Sequence, residues 1–273
     1  MAMIRDTDAQ REGWYEAIAR RHSRRRFTER RIEAEKLERL GELIVQLNAT
    51  AQACRIELVT AHDGRIFSGI RGGYGIIKGA PAYIAFIGNE AADGRYGELG
   101  YVGEAVILEA TRLELGTCWV SGTFDPAAVE RDLKAGPKDQ VVAVSPLGYA
   151  RDGKAFTEKV MSGLAGSAKR RPLERMCSGE PLSRWPDWAR TAVEAGRLAP
   201  SAMNRQPWLF RFESDRLSVE TDDGSAGTGN RYPKRLDCAI ALRHLAVGAQ
   251  HSLGSPVLVE VSDHLRVVPQ RGV

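Results

Sequence analysis

The sequence predicts an α+β chain made of two related halves, with mixed or antiparallel sheets flanked by helices and two central buried helices. Three observations predict it. The segments Leu99–Gly116 and Leu236–Gly254 are helical in pattern, apolar almost all round and nearly alike in spacing, as helices enclosed on every side are. Each is preceded by a helix and strands and followed by an apolar strand. The same order of elements then occurs a second time, which suggests duplication and pairing about a pseudo-twofold. Buried helices share Leu and Ala whatever their origin, so the helices alone leave coincidence open and the motifs must decide.

Taken in order, Thr7 to Arg20 reads as a helix capped by Thr7 or Asp8, with Trp14, Ala17 and Ile18 on one face. Leu37, Leu40, Ile44 and Leu47 recur at helical spacing and predict the next helix. Arg55 to Thr60 alternates as a half-buried strand, and Ala82 to Ile87 is a continuous apolar strand after a Gly/Pro turn. Tyr101 to Leu115 is the first buried helix, ended by Gly116, and Gln140 to Val144 is a further strand. Arg151 to Ser167, rich in Gly, Ser and Lys, reads as an irregular connection, which places the halves at 1–168 and 169–273 of one intertwined body. In the second half Trp188 to Leu198 is a helix, Trp208 to Phe212 and Leu217 to Glu220 are strands, Leu236 to Leu253 is the second buried helix, and Val257 to Val261 is a strand.

A hydrophobic content of 43% with 27% charged residues is globular, which argues against wholesale disorder. No apolar run reaches the ~18 residues of a membrane span, and the polar start of the chain has no secretory h-region. Cys54, Cys118, Cys177 and Cys238 are scattered without a CxxC, so a metal site or disulfide framework is not expected and a reducing cytoplasm is the default. Arg20, Arg21, Arg24, Arg25, Arg26, Arg30 and Arg31 crowd together in a chain of net charge only +4. That cluster calls for an anion.

Three strings carry chemistry. In Arg21-His22-Ser23-Arg24-Arg25-Arg26-Phe27, the arginines offer forked donors, Ser23 a hydroxyl donor and Phe27 a core anchor. Read blandly, it is a solvated basic loop; as a nucleic-acid patch it lacks the interleaved aromatics and any recognised motif. In Ala199-Pro-Ser-Ala-Met-Asn204-Arg-Gln-Pro-Trp208, two prolines bracket a turn whose backbone, Ser201 and Asn204 can meet a flat polar heterocycle edge-on. In Gly116-Thr-Cys-Trp-Val-Ser-Gly-Thr-Phe124, Gly122 lets the backbone approach a ligand closely, although alone the string is only a strand and a turn. His62, His244, His251 and His264 show no recognisable partners and read as surface or helix residues, and Cys118 reads as core packing.

Together these strings resemble the FMN-binding segments of the nitroreductase superfamily, and the layout is most similar to the branch in which that fold is duplicated within one chain. The resemblance covers nearly the whole chain, with the APSAMNRQPW string its most specific part. It implies that Arg21, His22, Ser23 and Arg25 hold the FMN phosphate and ribityl end, helped by the basic pair Lys169 and Arg171. Val120, Ser121 and Gly122 would line the flavin face opposite the substrate, with a backbone N–H near N5. Pro200, Ser201, Ala202 and Asn204 would come from the second half, and Lys78, within Tyr74-Gly-Ile-Ile-Lys78, would sit near N1. No residue of the chain is assigned as catalytic, because the flavin carries the chemistry.

The departures point the same way. In the first half the place of APSAMNRQPW is taken by Asn48-Ala-Thr-Ala-Gln-Ala-Cys54, without the prolines. In the second half the counterpart of the arginine string is at best Arg170-Arg-Pro-Leu-Glu-Arg-Met176, without the serine, and no second GTCWVSGTF follows. One set of parts is complete and the other is lost, which implies one flavin per chain and a monomer acting as its own pseudo-dimer, with room for a further oligomer. The resemblance implies a small-molecule oxidoreductase in which NAD(P)H drives flavin-mediated hydride transfer to a nitro compound, quinone or flavin, with neither nucleic acid nor membrane as partner. Two rival readings stay open: a non-catalytic FMN-binding or storage protein, and a related flavin chemistry such as dehalogenation or flavin cleavage.

Overall fold

A helix–strand–strand–helix run followed by two further strands is built twice along this chain. The computed structural model describes residues 8–62, 65–67, 77–133, 135–151, 169–222, 233–261 and 264–270. After α1 (Asp8–Arg20), the first run comprises α2 (Ala34–Thr50), β1 (Cys54–Val59), β2 (Ala82–Asn89), α3 (Arg95–Arg112), β3 (Gly116–Thr117), α4 (Pro126–Leu133) and β4 (Asp139–Gly148). Its sheet has the order β1-β2-β4-β3 and is antiparallel throughout. The second run comprises β5 (Cys177–Gly179), α5 (Asp187–Arg197), β6 (Trp208–Glu213), β7 (Arg216–Thr221), α6 (Lys234–Leu253), β8 (Val257–Glu260) and β9 (Arg266–Pro269). Its sheet has the order β5-β6-β7-β9-β8, with β5 added in parallel at one edge. Without β5, each sheet lays its strands in the order first, second, fourth, third, antiparallel at every junction. A shared strand order is a more demanding likeness than two apolar helices, because it fixes connections as well as composition.

The chain divides into two compact units: Arg21–Arg95 with Val106–Ala168, and Met1–Arg20 with Tyr96–Ala105 and Lys169–Val273. Relative to halves at 1–168 and 169–273, the segments 1–20 and 96–105 group with the later residues. For α1 the reason is visible in its contacts. Tyr15 stacks on His251 of α6 with ring centroids 3.8 Å apart, and the Arg243 guanidinium lies 5.5 Å from the Trp14 ring.

Within the unit that contains the two sheet-flanking helices α5 and α6, glycine sets the spacing. A Cβ on Gly248 would fall 2.8 Å from the Ala195 Cβ and 2.9 Å from the Thr191 carbonyl, and one on Gly196 would fall 2.6 Å from a Leu245 methyl. The start of α3 meets α6 in the same way at Gly100, where a Cβ would lie 2.5 Å from the Leu236 carbonyl oxygen. Both helices predicted to be enclosed are so: α3 is buried on every face from Leu99 to Ala110, and α6 from Leu236 to Gln250.

The buried helices also carry polar groups that the sequence reading left without partners. His244 lies within a helix, as read, but it is fully buried and has a partner at each ring nitrogen. Its Nδ1 lies 3.1 Å from the Ala195 carbonyl, which can only accept, so Nδ1 carries a proton. Its Nε2 is 2.8 Å from Glu104 Oε1, with both side chains fully buried. Arg243 donates to the Tyr101 carbonyl at 3.1 Å and lies 3.7 Å above the Tyr101 ring.

In the first run, β2 is buried on both faces, which accounts for its unbroken apolar pattern. Glu33, just before α2, accepts a bond from the Tyr149 hydroxyl and pairs with Arg30 at 2.5 Å, while Lys36 donates to that hydroxyl at 2.9 Å. The Tyr149 hydroxyl, the backbone and Arg30 hold the Glu33 carboxyl down at about 2. Several expected boundaries move. The first buried helix starts at Arg95 and ends at Arg112; Glu114 takes the left-handed turn (φ 64°), and Gly116 opens β3 where it was expected to stop the helix. β4 continues past Val144 through Pro146 to Gly148, and α4, β3, β5 and β9 are additional elements. Thr7 and the connection from 152 onward lie outside the described residues.

Candidate functional site

The arginine segment is held extended by backbone bonds along its length. Ser23 bridges Thr117, with Arg24 N donating to the Thr117 carbonyl at 2.8 Å. Arg26 bridges Lys78: Lys78 N donates to the Arg25 carbonyl at 3.0 Å, and Phe27 N donates to the Lys78 carbonyl at 2.9 Å. Phe27 pairs with Ala150 and is buried in the core, as its anchoring role requires. Gly79 is obligatory here, since it combines a φ of 77° with a Phe27 carbonyl oxygen 2.7 Å from where a Cβ would stand.

Three segments far apart in sequence (Arg21–Phe27, Lys78 and the strand-and-loop from Gly116) thus meet within one unit. Along it Arg21 is buried, Arg25 half-buried, and His22, Ser23 and Lys78 exposed. No acidic residue falls between Arg20 and Thr28. The remaining part of Tyr74–Lys78 before Ile77 lies outside the described residues.

The glycine loop is anchored on β4. Val120 N and O exchange bonds with Val144 O and N, both at 2.9 Å, and Cys118 N donates to Ser145 Oγ at 3.0 Å. The Val120 N–H is therefore spent on the sheet, and a ligand would meet the half-buried Ser121 and Gly122 beyond it. Cys118 is buried, as core packing demands, and Trp119 stacks on Phe86 at 4.1 Å.

The other unit holds the second set of residues. Between α5 and β6 the segment 198–207 forms a turn with a short 3-10 stretch at Ala202–Asn204. Met203 (φ 52°), Asn204 (φ 55°) and Gln206 (φ 48°) are all left-handed, and none is glycine. Ser201 Oγ accepts from Gln206 N at 2.9 Å. Asn204 Nδ2 donates to the Lys169 carbonyl at 3.0 Å, and Arg170 Nη1 donates to Asn204 Oδ1 at 3.2 Å. This brings Lys169 to the turn that bears Pro200, Ser201, Ala202 and Asn204. Arg171 joins it too, although its guanidinium is occupied: it donates to the Gln206 and Arg175 carbonyls and pairs with Asp222 at 2.8 Å.

Two residues beyond those singled out from sequence complete the turn. Asp237, in the first turn of α6, accepts from Ala202 N at 3.2 and 3.3 Å and from Arg205 Nε at 2.9 Å. An acidic residue in the first turn of a largely apolar helix was the readable signal. Burial pushes the Asp237 carboxyl up to about 6, against the pull of Arg205.

The first run has no such turn. Only residues 51–53 separate α2 from β1, and Asn48 closes the gap by pairing with both the Ile56 N–H and carbonyl at 2.8 Å. The Arg170–Met176 segment, in turn, folds into a 3-10 turn at Leu173–Arg175. Among the described residues no group of three or more His, Cys, Asp or Glu is placed to hold a metal ion, and no helix is long and apolar enough to cross a membrane.

Among solved structures, a Thermotoga maritima MSB8 protein described as "a putative nitroreductase" matches with a TM-score of 0.64 at 23% identity, over 94% of each chain. A nitroreductase family protein of Clostridium novyi NT matches over 54% of this chain and 90% of that one, with a TM-score of 0.44 and 21% identity. An FMN-dependent nitroreductase of Clostridium difficile R20291 matches over 50% of this chain and 88% of that one, with a TM-score of 0.44 and 21% identity. No curated protein matches the chain. The likeness to the Thermotoga protein over nearly the full length of both chains establishes a nitroreductase-like α+β fold. The family described as "Putative TM nitroreductase" matches residues 14–249, well over half of the sequence, and the chain belongs to that family.

Proposed function

We propose that this protein is an FMN-dependent oxidoreductase that passes reducing equivalents from NADH or NADPH to a small electron-poor acceptor such as a nitro compound, a quinone or a free flavin. The observation that carries the reading is the meeting of Arg21–Phe27, Lys78 and the Gly116 loop within one unit. Such a concentration of guanidinium and ammonium groups, with the Ser23 hydroxyl, fits a phosphate monoester. When bound, FMN supplies the hydride-transfer chemistry. In this reading Arg21, His22, Ser23 and Arg25 hold the phosphate end, and Lys78 supplies positive charge beside that segment. Val120 packs the loop onto β4 so that Ser121 and Gly122 can offer amide donors to the ring. Pro200, Ser201, Ala202 and Asn204 belong to the second set, with Lys169 and Arg171 acting on that turn, Arg171 through its bonds to Gln206 and Asp222. Each set occurs once in the chain, so the reading gives one FMN per chain.

Purified protein should bind FMN more tightly than riboflavin, which lacks the phosphate. Arg25→Ala removes one charge-assisted bond, worth about 1.5–3 kcal/mol, and should weaken FMN at least about tenfold in a fluorescence titration while leaving riboflavin unaffected. Equal loss for both ligands, or for neither, takes Arg25 out of the phosphate contact. Anaerobic mixing with NADH or NADPH should bleach the bound flavin, and a quinone or nitroaromatic should restore its absorbance. Tight FMN binding without bleaching by either nucleotide would favour the storage reading.

A further inference from the structure

The arginine segment has two faces. On one side Arg26 bridges Lys78, with Lys78 N donating to the Arg25 carbonyl at 3.0 Å and Phe27 N to the Lys78 carbonyl at 2.9 Å. On the other side Phe27 bridges Ala150. Thr28 N donates to the Tyr149 carbonyl at 2.8 Å and Arg151 N to the Arg26 carbonyl at 3.0 Å, a register that sets Arg151 opposite Arg26. Bridged residues share a face and successive residues alternate. Lys78, Arg26 and Arg151 therefore form a row of cations across neighbouring chains, while Arg25 and Phe27 take the opposite face. Like charges set directly opposite one another work against such pairing, so the backbone bonds hold the row together against its own repulsion. Arg151 Nε donates to the Phe27 carbonyl oxygen at 3.2 Å, and that oxygen is also the atom a Cβ on Gly79 would strike, 2.7 Å away. The bond thus draws the Arg151 guanidinium towards the Lys78–Gly79 chain and leaves its two Nη groups for a ligand. Lys78 and Arg151 are exposed and Arg26 is half-buried. Among the described residues no carboxylate pairs with Lys78 or Arg151, and residues 20–28, 76–81 and 147–151 contain no Asp or Glu.

We propose that Lys78, Arg26 and Arg151 form a second anion site, on the face of the segment opposite Arg25, and that it takes the phosphate group of a small molecule other than the flavin. An oxyanion set over the row neutralises the repulsion that the backbone otherwise has to contain. Guanidinium forks flanked by an ammonium supply donors to several of its oxygens at once. A phosphate, with up to two charges and three free oxygens, matches the row better than a carboxylate does. Two sources share this chemistry: a free phosphate such as pyrophosphate, and a nucleotide with a phosphate on its ribose. The site goes beyond the FMN reading and does not depend on it, because Arg25 serves the other face.

The test is a calorimetric titration of inorganic pyrophosphate into the FMN-saturated protein in chloride buffer. Pyrophosphate should bind with FMN in place, and Arg151→Gln and Arg26→Gln should each weaken it about tenfold, the loss of a charge-assisted contact. Arg151→Lys, which keeps the charge, should bind pyrophosphate more tightly than Arg151→Gln. Equal weakening by the two would trace the effect to the Phe27 bond and overturn the proposal. Arg151→Gln should hold FMN as the wild type does, and Arg25→Ala, which weakens FMN, should leave pyrophosphate binding intact. Displacement of pyrophosphate by FMN, or equal weakening of pyrophosphate by Arg25→Ala and Arg151→Gln, would show a single phosphate site and overturn the proposal, as would wild-type affinity in Arg151→Gln. Adenosine 2′-phosphate, titrated in parallel, separates the sources. Tighter binding than pyrophosphate assigns the site to a ribose phosphate, weaker binding assigns it to a free phosphate, and binding of neither overturns it. If the protein bound no FMN, the cofactor reading would fail, and the same variants titrated with pyrophosphate alone would still decide the second site.

Discussion

Glu104→Leu should destabilise the protein by about 3 kcal/mol or more, as expected when one partner of a buried polar pair is removed. His244 is tied to α5 through Ala195 and to α3 through Glu104, so its ring joins three helices at a point with no access to solvent. Leucine fills the space of the glutamate but leaves Nε2 without an acceptor or donor in an apolar interior. Glu104→Gln should cost much less, about 1 kcal/mol, because its amide can donate to Nε2 while His244 Nδ1 keeps its bond to Ala195. Denaturant unfolding of the two variants against wild type measures both values. Wild-type stability in Glu104→Leu would mean that the His244–Glu104 contact contributes nothing to holding the helices. If glutamine proved as damaging as leucine, the pair would have to be ionised, and its net charge pairing would be what the fold requires.

The fold was legible wherever burial imposes a period. α3 and α6 were readable as enclosed helices because they are apolar almost all round, and β2 because both of its faces are covered. Boundaries were legible only where apolar pattern and chain conformation end together. The first turn of α3, Arg95 to Glu98, is polar, so periodicity starts after the helix does. Gly116 looked like a helix stop, but Glu114 accepted the left-handed position earlier. Pro146 reads as a strand breaker, yet it pairs opposite Tyr83 within β4. α4 did carry a signal that went unused: Asp125 accepts from Ala127 N and Ala128 N, and Pro126 opens the helix, a regular capping pattern. The short strands β3 and β5 depend on partners distant in sequence, and these two and β9 have too few residues for alternation to show.

Of the candidate site, residue type and order were legible, but bonding was not. The sequence shows arginines and a lysine; that Lys78 joins the Arg25–Phe27 backbone depends on a bridge between Arg26 and Lys78, far apart in the chain. His244 and Asp237 were passed over for the same reason, since a polar side chain inside an apolar helix declares its partner only in three dimensions. The repeat is clearer in structure than in sequence. Strand order survives in both sheets, whereas the linkers have diverged, with residues 51–53 in one run and 198–207 in the other. Divergence concentrated in linkers over a retained scaffold is expected when binding is carried by loops.

Gly100→Ala and Gly41→Ala should move stability in opposite directions, although both place alanine inside an α-helix. In isolation either change favours the helix by up to about 1 kcal/mol. At Gly41, in α2, a Cβ meets nothing within 4 Å, so that gain should appear almost undiminished. At Gly100 the new carbon would lie 2.5 Å from the Leu236 carbonyl oxygen, 2.9 Å from the Ala239 Cβ and 3.2 Å from the Ile240 amide nitrogen. Two of these are backbone atoms of α6, which no side-chain rotation can move aside, and α6 is itself buried from Leu236 to Gln250. The start of α3 must therefore withdraw from α6, opening the contact that also aligns Glu104 with His244 and Tyr101 with Arg243. Overpacking of this kind costs about 1–3 kcal/mol, and the loosened polar contacts add to it, so a net loss of at least about 2 kcal/mol is expected. Urea unfolding midpoints, with unchanged slopes, would report both shifts. A Gly100→Ala protein as stable as Gly41→Ala would mean that α3 and α6 are not in close contact at this point, and that the glycine is there for some other reason.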